Sequence, residues 1–199
     1  MCEKNSAKLE EEALKFLDRD FNQCFNQMRY YDGQIWDICK FSFTAYSGLL
    51  GISMGLYQYS LDKNLNLVPA AILILLVGFF LGIFACFLMV RNRVYFVKVA
   101  RYINLHRKFF LGFKPLGFKN CVKMYDNPKL PLYFDFNSSQ LWLIYLMAVY
   151  NSVLIAVASY FYFNEISDVR IYFLGIVYFI INLIIATYYL RKCDKNICK

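Results

Sequence analysis

The sequence predicts an all-α membrane protein with four transmembrane helices arranged as two hairpins. Its composition is 59% hydrophobic and 20% aromatic, which is more apolar than an ordinary soluble domain. An uncharged run of 23 residues, Val68 to Val90, is long enough to cross the hydrocarbon core as a helix. Charged residues are concentrated before and between the apolar runs. Together these observations favour membrane-spanning helices joined by wet, mostly basic segments.

Residues 1–37 are predicted to form a long amphipathic cytoplasmic helix. Its apolar residues recur at spacings of three and four, which is the period of one helix face. They are Leu14, Leu17, Phe21, Cys24, Met28, Tyr31 and Ile35. Such a face must be covered by the basic segment of the same chain, by the membrane surface or by another subunit. Packing within the molecule is favoured, because Phe, Cys, Met and Tyr are poor core residues for a dedicated coiled coil.

Residues 38–90 are predicted to form the first transmembrane hairpin. The first span, about 38–59, is the most polar of the four, and a short loop at 60–67 leads into the second span. Gly51 and Gly55 in the first span, and Gly78 and Gly82 in the second, are each four residues apart. This spacing lets two helices approach closely. We expect these glycines to pack the two helices of the hairpin together, with packing between subunits as the alternative.

Residues 91–139 are predicted to form a basic cytoplasmic segment. No helix breaker occurs between Arg91 and Phe110, so the second span is expected to continue into the aqueous phase. The following stretch contains Gly, Pro and many aromatic residues, which predicts an ordered cap with one short helix around 119–125. The cationic helix either lies on anionic headgroups or binds an anionic ligand or partner. The candidate ligand-binding residues are Arg91, Arg93, Lys98, Arg101, Arg107 and Lys108.

Residues 140–190 are predicted to form the second hairpin, and residues 191–199 a short basic cytoplasmic tail. Its spans, about 140–163 and 171–190, each carry one amide near the middle, Asn151 and Asn182. An unsatisfied amide in hydrocarbon costs several kcal/mol, so both are expected to face protein or water. They either hydrogen-bond each other across the hairpin or line a pore when several copies assemble around an axis.

The distribution of cationic residues predicts the topology. Of the 22 Lys and Arg residues, ten fall in 91–139, five in 1–37 and four in the tail, whereas each predicted outer loop holds one. Lys and Arg accumulate on the cytoplasmic side of membrane proteins. We therefore expect a multi-pass protein of the cell inner membrane with both termini cytoplasmic. Its function should then lie in the spans or on the cytoplasmic face.

Enzymatic chemistry is not indicated by the sequence. His106 is the only histidine, and no Asp or Glu falls within a predicted span. No zinc-protease, nucleophile-elbow or phosphate-loop pattern is present. We therefore predict no catalytic residue, no metal site and no cofactor.

The segment VRNRVYFVKVARYINLHRKFFL, Val90 to Leu111, resembles a stretch of small membrane proteins encoded in bacterial anti-phage defence loci. The order of elements is similar as well, and among these proteins the chain resembles the membrane effector of Hailong systems. This resemblance implies an oligomeric channel that permeabilises the inner membrane. It also implies control by a DNA oligomer or nucleotide made by a partner nucleotidyltransferase.

Two functions are therefore considered. The first is an oligomeric membrane channel or membrane-disrupting effector in anti-phage defence, gated by an anionic nucleotide or oligonucleotide on its cytoplasmic face. The alternative is a non-conducting membrane adaptor that recruits a cytoplasmic partner through the N-terminal helix. A small transporter ranks behind both, because the spans lack acidic residues and obvious helix interruptions.

Overall fold

Four α-helices make up the regular structure of the protein. The computed structural model describes residues 2–113, 120–121, 127–163 and 169–195, and these residues contain no β-strand. The helices are α1 (Cys2–Lys63), α2 (Val68–Gly112), α3 (Ser139–Phe163) and α4 (Val169–Lys195). The all-α class predicted from the sequence is confirmed for this part of the chain.

Helix α1 is continuous over 62 residues, which corresponds to about 93 Å at 1.5 Å per residue. The sequence had suggested an amphipathic helix at 1–37 followed by a separate span from residue 38. The structure joins the two, because no proline interrupts the chain before Pro69. The helix ends where Asn64 adopts a positive φ of 52°, a left-handed conformation that Asn tolerates. The Ser60 hydroxyl donates to Leu65 O and accepts from the backbone N–H of Leu67.

Helix α2 passes from an apolar half into a cationic half without a break over 45 residues. Pro69 lies in its first turn, where a missing backbone N–H costs nothing. The continuation beyond the membrane-like run agrees with the absence of helix breakers in the sequence. The part of the cap around residues 119–125, where a short helix was predicted, lies almost entirely outside the described residues.

Helices α1 and α2 pack against each other in antiparallel fashion. Near one end, the Tyr102 hydroxyl donates to Asp20 Oδ2 at 2.9 Å. Further along, the rings of Tyr31 and Tyr95 stack with centroids 5.5 Å apart. Toward the other end, the Leu49 side chain lies against Gly78. The second half of α1 therefore runs beside the apolar half of α2, and the first half runs beside its cationic half.

Helix α3 completes the apolar core, and α4 packs on α3. A Cβ added to Gly175 of α4 would lie 3.5 Å from Ala156 Cβ and 3.5 Å from Ser152 O of α3. This places α4 against Ser152 and Ala156 of α3. The main core contains apolar residues from the first three helices, including Ile35, Tyr57, Leu75, Met89, Met147, Leu154 and Phe161.

Three helices, not four, are long and apolar enough to cross a membrane within the described residues. They are α2, α3 and α4. The predicted first span, 38–59, does not qualify. The physical reason is its composition, since Ser, Thr, Gly and Gln residues replace much of the aliphatic content that the other helices carry. By length and hydropathy, three of the four spans predicted from the sequence therefore qualify as membrane helices.

Candidate functional site

The six cationic residues predicted to bind a ligand form two groups: those whose side chains contact the interior of the protein and those that lie nearer its surface. Arg93 belongs to the first group. Its side chain is 2% exposed. Its guanidinium donates to Gln140 Oε1 at 2.7 Å, to Leu132 O at 2.9 Å and to Tyr133 O at 3.3 Å. Burial lowers the pKa of Arg93, and the carboxylates of Asp135, Asp194 and Asp32 act in the opposite direction. The Arg93 side chain therefore stabilises the fold and is not available to a ligand.

Arg101 is also committed to internal contacts. Its Nε donates to Pro131 O at 2.9 Å, and its Nη2 lies 2.7 Å from Asp194 Oδ1. The Asp194 carboxylate additionally accepts from the backbone N–H groups of Tyr133, at 3.2 Å, and Phe134, at 3.3 Å. Arg101 and Asp194 therefore fasten the end of α4 and the chain before α3 to the cationic half of α2.

The segment 127–138 explains why α2 needs these donors. It has no regular helix or strand, and its internal backbone hydrogen bonds include those from Leu130 N–H to Asn127 O and from Ser138 N–H to Asp135 O. Other backbone carbonyls of the segment need donors from elsewhere. Asn104 Nδ2 supplies two more bonds, to Leu130 O at 2.6 Å and to Asn127 O at 3.1 Å. The sequence analysis missed Asn104, Gln140 and Asp194. They could have been predicted as polar side chains that face a proline-containing stretch, because the backbone carbonyls of such a stretch need hydrogen-bond donors from elsewhere.

The remaining cations lie nearer the surface. Arg91, Lys98 and Lys108 are exposed, and Arg107 is half-buried. Arg91 Cζ and Lys98 Nζ lie 5.5 Å and 5.7 Å from the centroid of the Tyr95 ring, within the range of cation–π attraction. The Arg91–Tyr95–Lys98 cluster, like the exposed Lys108, is therefore available to a ligand.

A groove of about 590 Å³ opens beside this cluster, between α2, α3 and α4. Its mouth is formed by Arg91, Tyr95 and Lys98, and Asn182 lies toward its other end. Between these ends the lining is mainly aliphatic and aromatic. These lining residues include Ile83, Phe87, Val90, Ala148, Ile185 and Ala186.

The two intramembrane amides have different partners. Asn151 is 0% exposed, accepts at Oδ1 from the Tyr46 hydroxyl at 2.6 Å and approaches Cys86 Sγ with Nδ2 at 3.7 Å. Asn182 Nδ2 donates to the Tyr178 carbonyl of its own helix at 3.0 Å. The hydrogen bonds of Asn151 thus join α3 to α1 and α2 rather than to Asn182 of α4. Within one chain Asn151 faces protein and not a lumen.

The four predicted packing glycines also separate into two pairs. A Cβ on Gly78 would lie 2.8 Å from Leu49 Cδ1, and one on Gly82 would lie 1.8 Å from Asn151 Oδ1. A Cβ on Gly51 or Gly55 would meet nothing within 4 Å. Gly78 and Gly82 therefore allow close packing inside the chain. Gly51 and Gly55 lie on an open face of α1. The glycine packing within the hairpin that the sequence predicts therefore involves only the glycines of α2.

That open face carries a line of small and polar residues, which we call the polar stripe. It consists of Lys40, Thr44, Ser47, Gly51, Gly55, Gln58 and Asp62. At about 100° per residue, these positions fall within an arc of roughly 80°. All seven are exposed, whereas Ser42, Tyr46, Ser53 and Tyr57 on the opposite face are buried.

Hydrogen bonds along the helix satisfy the side chains of the stripe. Thr44 Oγ1 donates to Lys40 O at 3.1 Å, and Ser47 Oγ donates to Phe43 O at 2.9 Å. Gln58 Nε2 donates to Asp62 Oδ1 at 3.1 Å. From Lys40 to Asp62 the stripe rises about 33 Å, which is close to the thickness of a bilayer's hydrocarbon core.

Comparison with known proteins gives no match to a protein family, a curated protein or a solved structure. Among the described residues, His, Cys, Asp and Glu form no group of three or more that is placed to hold a metal ion. The polar stripe, the exposed cations of α2 and the groove are therefore the candidate functional features of the described chain.

Proposed function

We propose that the protein is an oligomeric membrane channel whose pore is lined by the polar stripe of α1. The main support for the proposal is that α1 lies beside a membrane-like helix although its own residues are less apolar than those of a typical span. Its second half packs along the apolar half of α2, yet it is less apolar than a lipid-facing span requires. A helix held at membrane depth with a polar outer face is best stabilised by water or by another copy of the chain.

The antiparallel contact supports a fourth membrane crossing. The uncharged run of α2 is residues 68–90. The contacts of Gly82 with Tyr46 and of Gly78 with Leu49 place residues 38–60 of α1, approximately, beside this run. If α2 crosses the bilayer, this part of α1 crosses with it. Both termini and residues 91–139 then share one side, and the excess of Lys and Arg there supports a cytoplasmic location for that side. The inner membrane follows as the proposed location.

The stripe also supports assembly into a homo-oligomer. A single helix cannot enclose a water path, so several copies of α1 must surround an axis. Small side chains at Ser47, Gly51 and Gly55 would leave room for water or allow close contacts between helices. Exposed apolar residues on either side of the stripe would contact neighbouring copies. They include Phe41, Phe43, Ile52 and Met54.

Control from the cytoplasmic face is proposed through the exposed cations of α2. Arg91, Lys98 and Lys108 would attract an anionic ligand, and Tyr95 offers a ring for base stacking. The narrower proposal, an oligonucleotide ligand from a partner nucleotidyltransferase in anti-phage defence, rests on the resemblance of Val90–Leu111 to Hailong-type effectors.

Reconstitution into liposomes tests the channel. Purified protein should release an entrapped ion-sensitive dye, and Gly51→Trp should block that release by filling the centre of the stripe. Ile176→Trp is the matched control, since Ile176 is exposed on α4, away from the stripe and from the residues that flank it. Short single-stranded DNA is the ligand probe, and Lys108→Glu should reduce its effect. Tight liposomes with and without the probe would contradict the proposal.

A second candidate, a non-conducting adaptor, is favoured by exposed apolar residues in the first half of α1. Leu14, Phe16 and Tyr30 are 51%, 65% and 62% exposed, which is typical of a surface that binds a partner. Replacing Leu14 and Phe16 with Ser should then abolish recruitment of a cytoplasmic protein while leaving liposome release unchanged. Loss of release with intact recruitment in the Gly51→Trp variant would favour the channel.

A further inference from the structure

We propose that the groove between α2, α3 and α4 binds one anionic phospholipid. Its phosphate would lie between Arg91 and Lys98, and one acyl chain would run along Phe87, Ile83 and Ile185 toward the middle of the membrane. The proposal requires that these helices lie in a bilayer, but it does not require that the protein conducts ions.

The charge at the mouth selects an anion. Arg91 is the first charged residue after the 23 uncharged residues of the span, which places it at the depth of the headgroups. Lys98 lies seven residues further on, about 10 Å along the helix axis. Within the described residues neither cation is paired with a carboxylate. Basic pockets between membrane helices on the cytoplasmic side are suited to phospholipid headgroups.

The body of the groove selects a hydrocarbon chain. Below the mouth it is lined by Phe87, Val90 and Ile185 and reaches Ile83, about 22 Å from Lys98 along α2. Its volume of about 590 Å³ lies within the usual range for small-molecule sites.

These two ends together favour an amphiphile over a soluble ligand. A nucleotide could use Arg91, Tyr95 and Lys98 but would leave the apolar length of the groove unfilled. A neutral hydrocarbon would leave both cations without a counter-charge. An anionic phospholipid matches the mouth and the body at once, and in the proposed topology the inner leaflet supplies it. Lys108, which does not line the groove, would remain available to a soluble ligand.

Photocrosslinking with defined lipids tests the proposal. The full-length protein is reconstituted in phosphatidylcholine vesicles that contain a small fraction of phosphatidylglycerol with a diazirine on one acyl chain. Mass spectrometry should find label on α2 and α4 near Phe87 and Ile185. Reversing both charges, Arg91→Glu with Lys98→Glu, should weaken labelling by at least about 25-fold, since the loss of each cation alone accounts for roughly five-fold. The same probe on phosphatidylcholine should label these positions weakly.

Two further variants separate this site from general membrane contact. Ala186→Trp fills the groove and leaves its cations intact, so it should abolish label at Phe87 and Ile185. Arg29→Glu removes an exposed cation on α1 outside the groove and outside the polar stripe and should leave that labelling unchanged. Both charge-reversal positions are exposed, so those variants should fold even if Ala186→Trp does not.

Three outcomes would overturn the lipid site. The first is equal labelling by phosphatidylglycerol and phosphatidylcholine. The second is labelling that survives reversal of Arg91 and Lys98. The third is a protein–protein crosslink from a photoreactive residue at position 87 to a second copy, which would assign the groove to a subunit interface. Liposome release is measured in parallel, so failure of the channel and failure of the lipid site are distinguishable.

Discussion

The Tyr46 hydroxyl donates a hydrogen bond of 2.6 Å to Asn151 Oδ1, and the two groups meet directly above Gly82. A Cβ on Gly82 would lie 1.8 Å from that oxygen and 1.9 Å from the hydroxyl. One polar contact therefore joins α1, α2 and α3 in an otherwise apolar region. It is possible only because Gly82 of α2 has no side chain at this point.

Gly82→Ala should destabilise the protein, although alanine ordinarily favours a helix by about 1 kcal/mol over glycine. The added methyl would displace both Tyr46 and Asn151, at an expected cost of about 2–4 kcal/mol for overpacking and a broken buried hydrogen bond. Gly33→Ala is the control, because nothing lies within 4 Å of a Cβ there. Reversible unfolding in detergent would measure both variants. Equal stability of the two would contradict the contact.

Tyr46→Phe and Asn151→Leu should show coupled effects on stability. Removing the hydroxyl alone leaves a buried Oδ1 without its donor, at a cost of about 1–3 kcal/mol. The double variant removes donor and acceptor together, so its cost should be less than the sum of the single costs. A double-mutant cycle should return a coupling of roughly 0.6–2 kcal/mol. Strict additivity would show that the two side chains do not interact.

Arg93→Lys should loosen the chain before α3 while keeping the positive charge. An ammonium cannot reproduce the separate bonds that the guanidinium makes to Leu132 O, Tyr133 O and Gln140 Oε1. We expect a loss of about 2–4 kcal/mol, since buried charge-assisted bonds contribute about 1.5–3 kcal/mol each. Arg91→Lys, at an exposed position, should change stability by less than about 0.5 kcal/mol. Limited proteolysis between residues 127 and 138 would report the local effect.

Much of the architecture could be predicted from the sequence. The uncharged run, the absence of proline from residue 70 to residue 114 and the period of the apolar residues define α2, α3 and α4 closely. The first half of α1 was expected to cover its apolar face within the molecule, and the structure brings it onto the cationic half of α2. The length of α1 was missed, because nothing in its sequence marks an end at residue 37.

The roles of the cations and glycines could not be predicted in the same way. Whether Arg93 faces solvent depends on the chain 127–138, whose path is irregular and was not derivable from periodicity. Gly51–Gly55 and Gly78–Gly82 have the same spacing, and only the packing of α1 on α2 distinguishes them. Similarly, the partner of Asn151 is a tyrosine 105 residues away, and no local signal indicates it.

Water access to α1 tests the central claim most directly. Single cysteines are placed at positions 44, 47, 51, 55 and 58 of the stripe, and at Phe43 and Ile52 beside it, in a chain whose seven native cysteines are replaced by serine. In membranes, a charged thiol reagent should modify the stripe positions at least about ten-fold faster than the two flanking positions, because hydrocarbon excludes ions. Uniform protection from position 43 to position 58, or equal reaction at all seven positions, would contradict a water-lined α1.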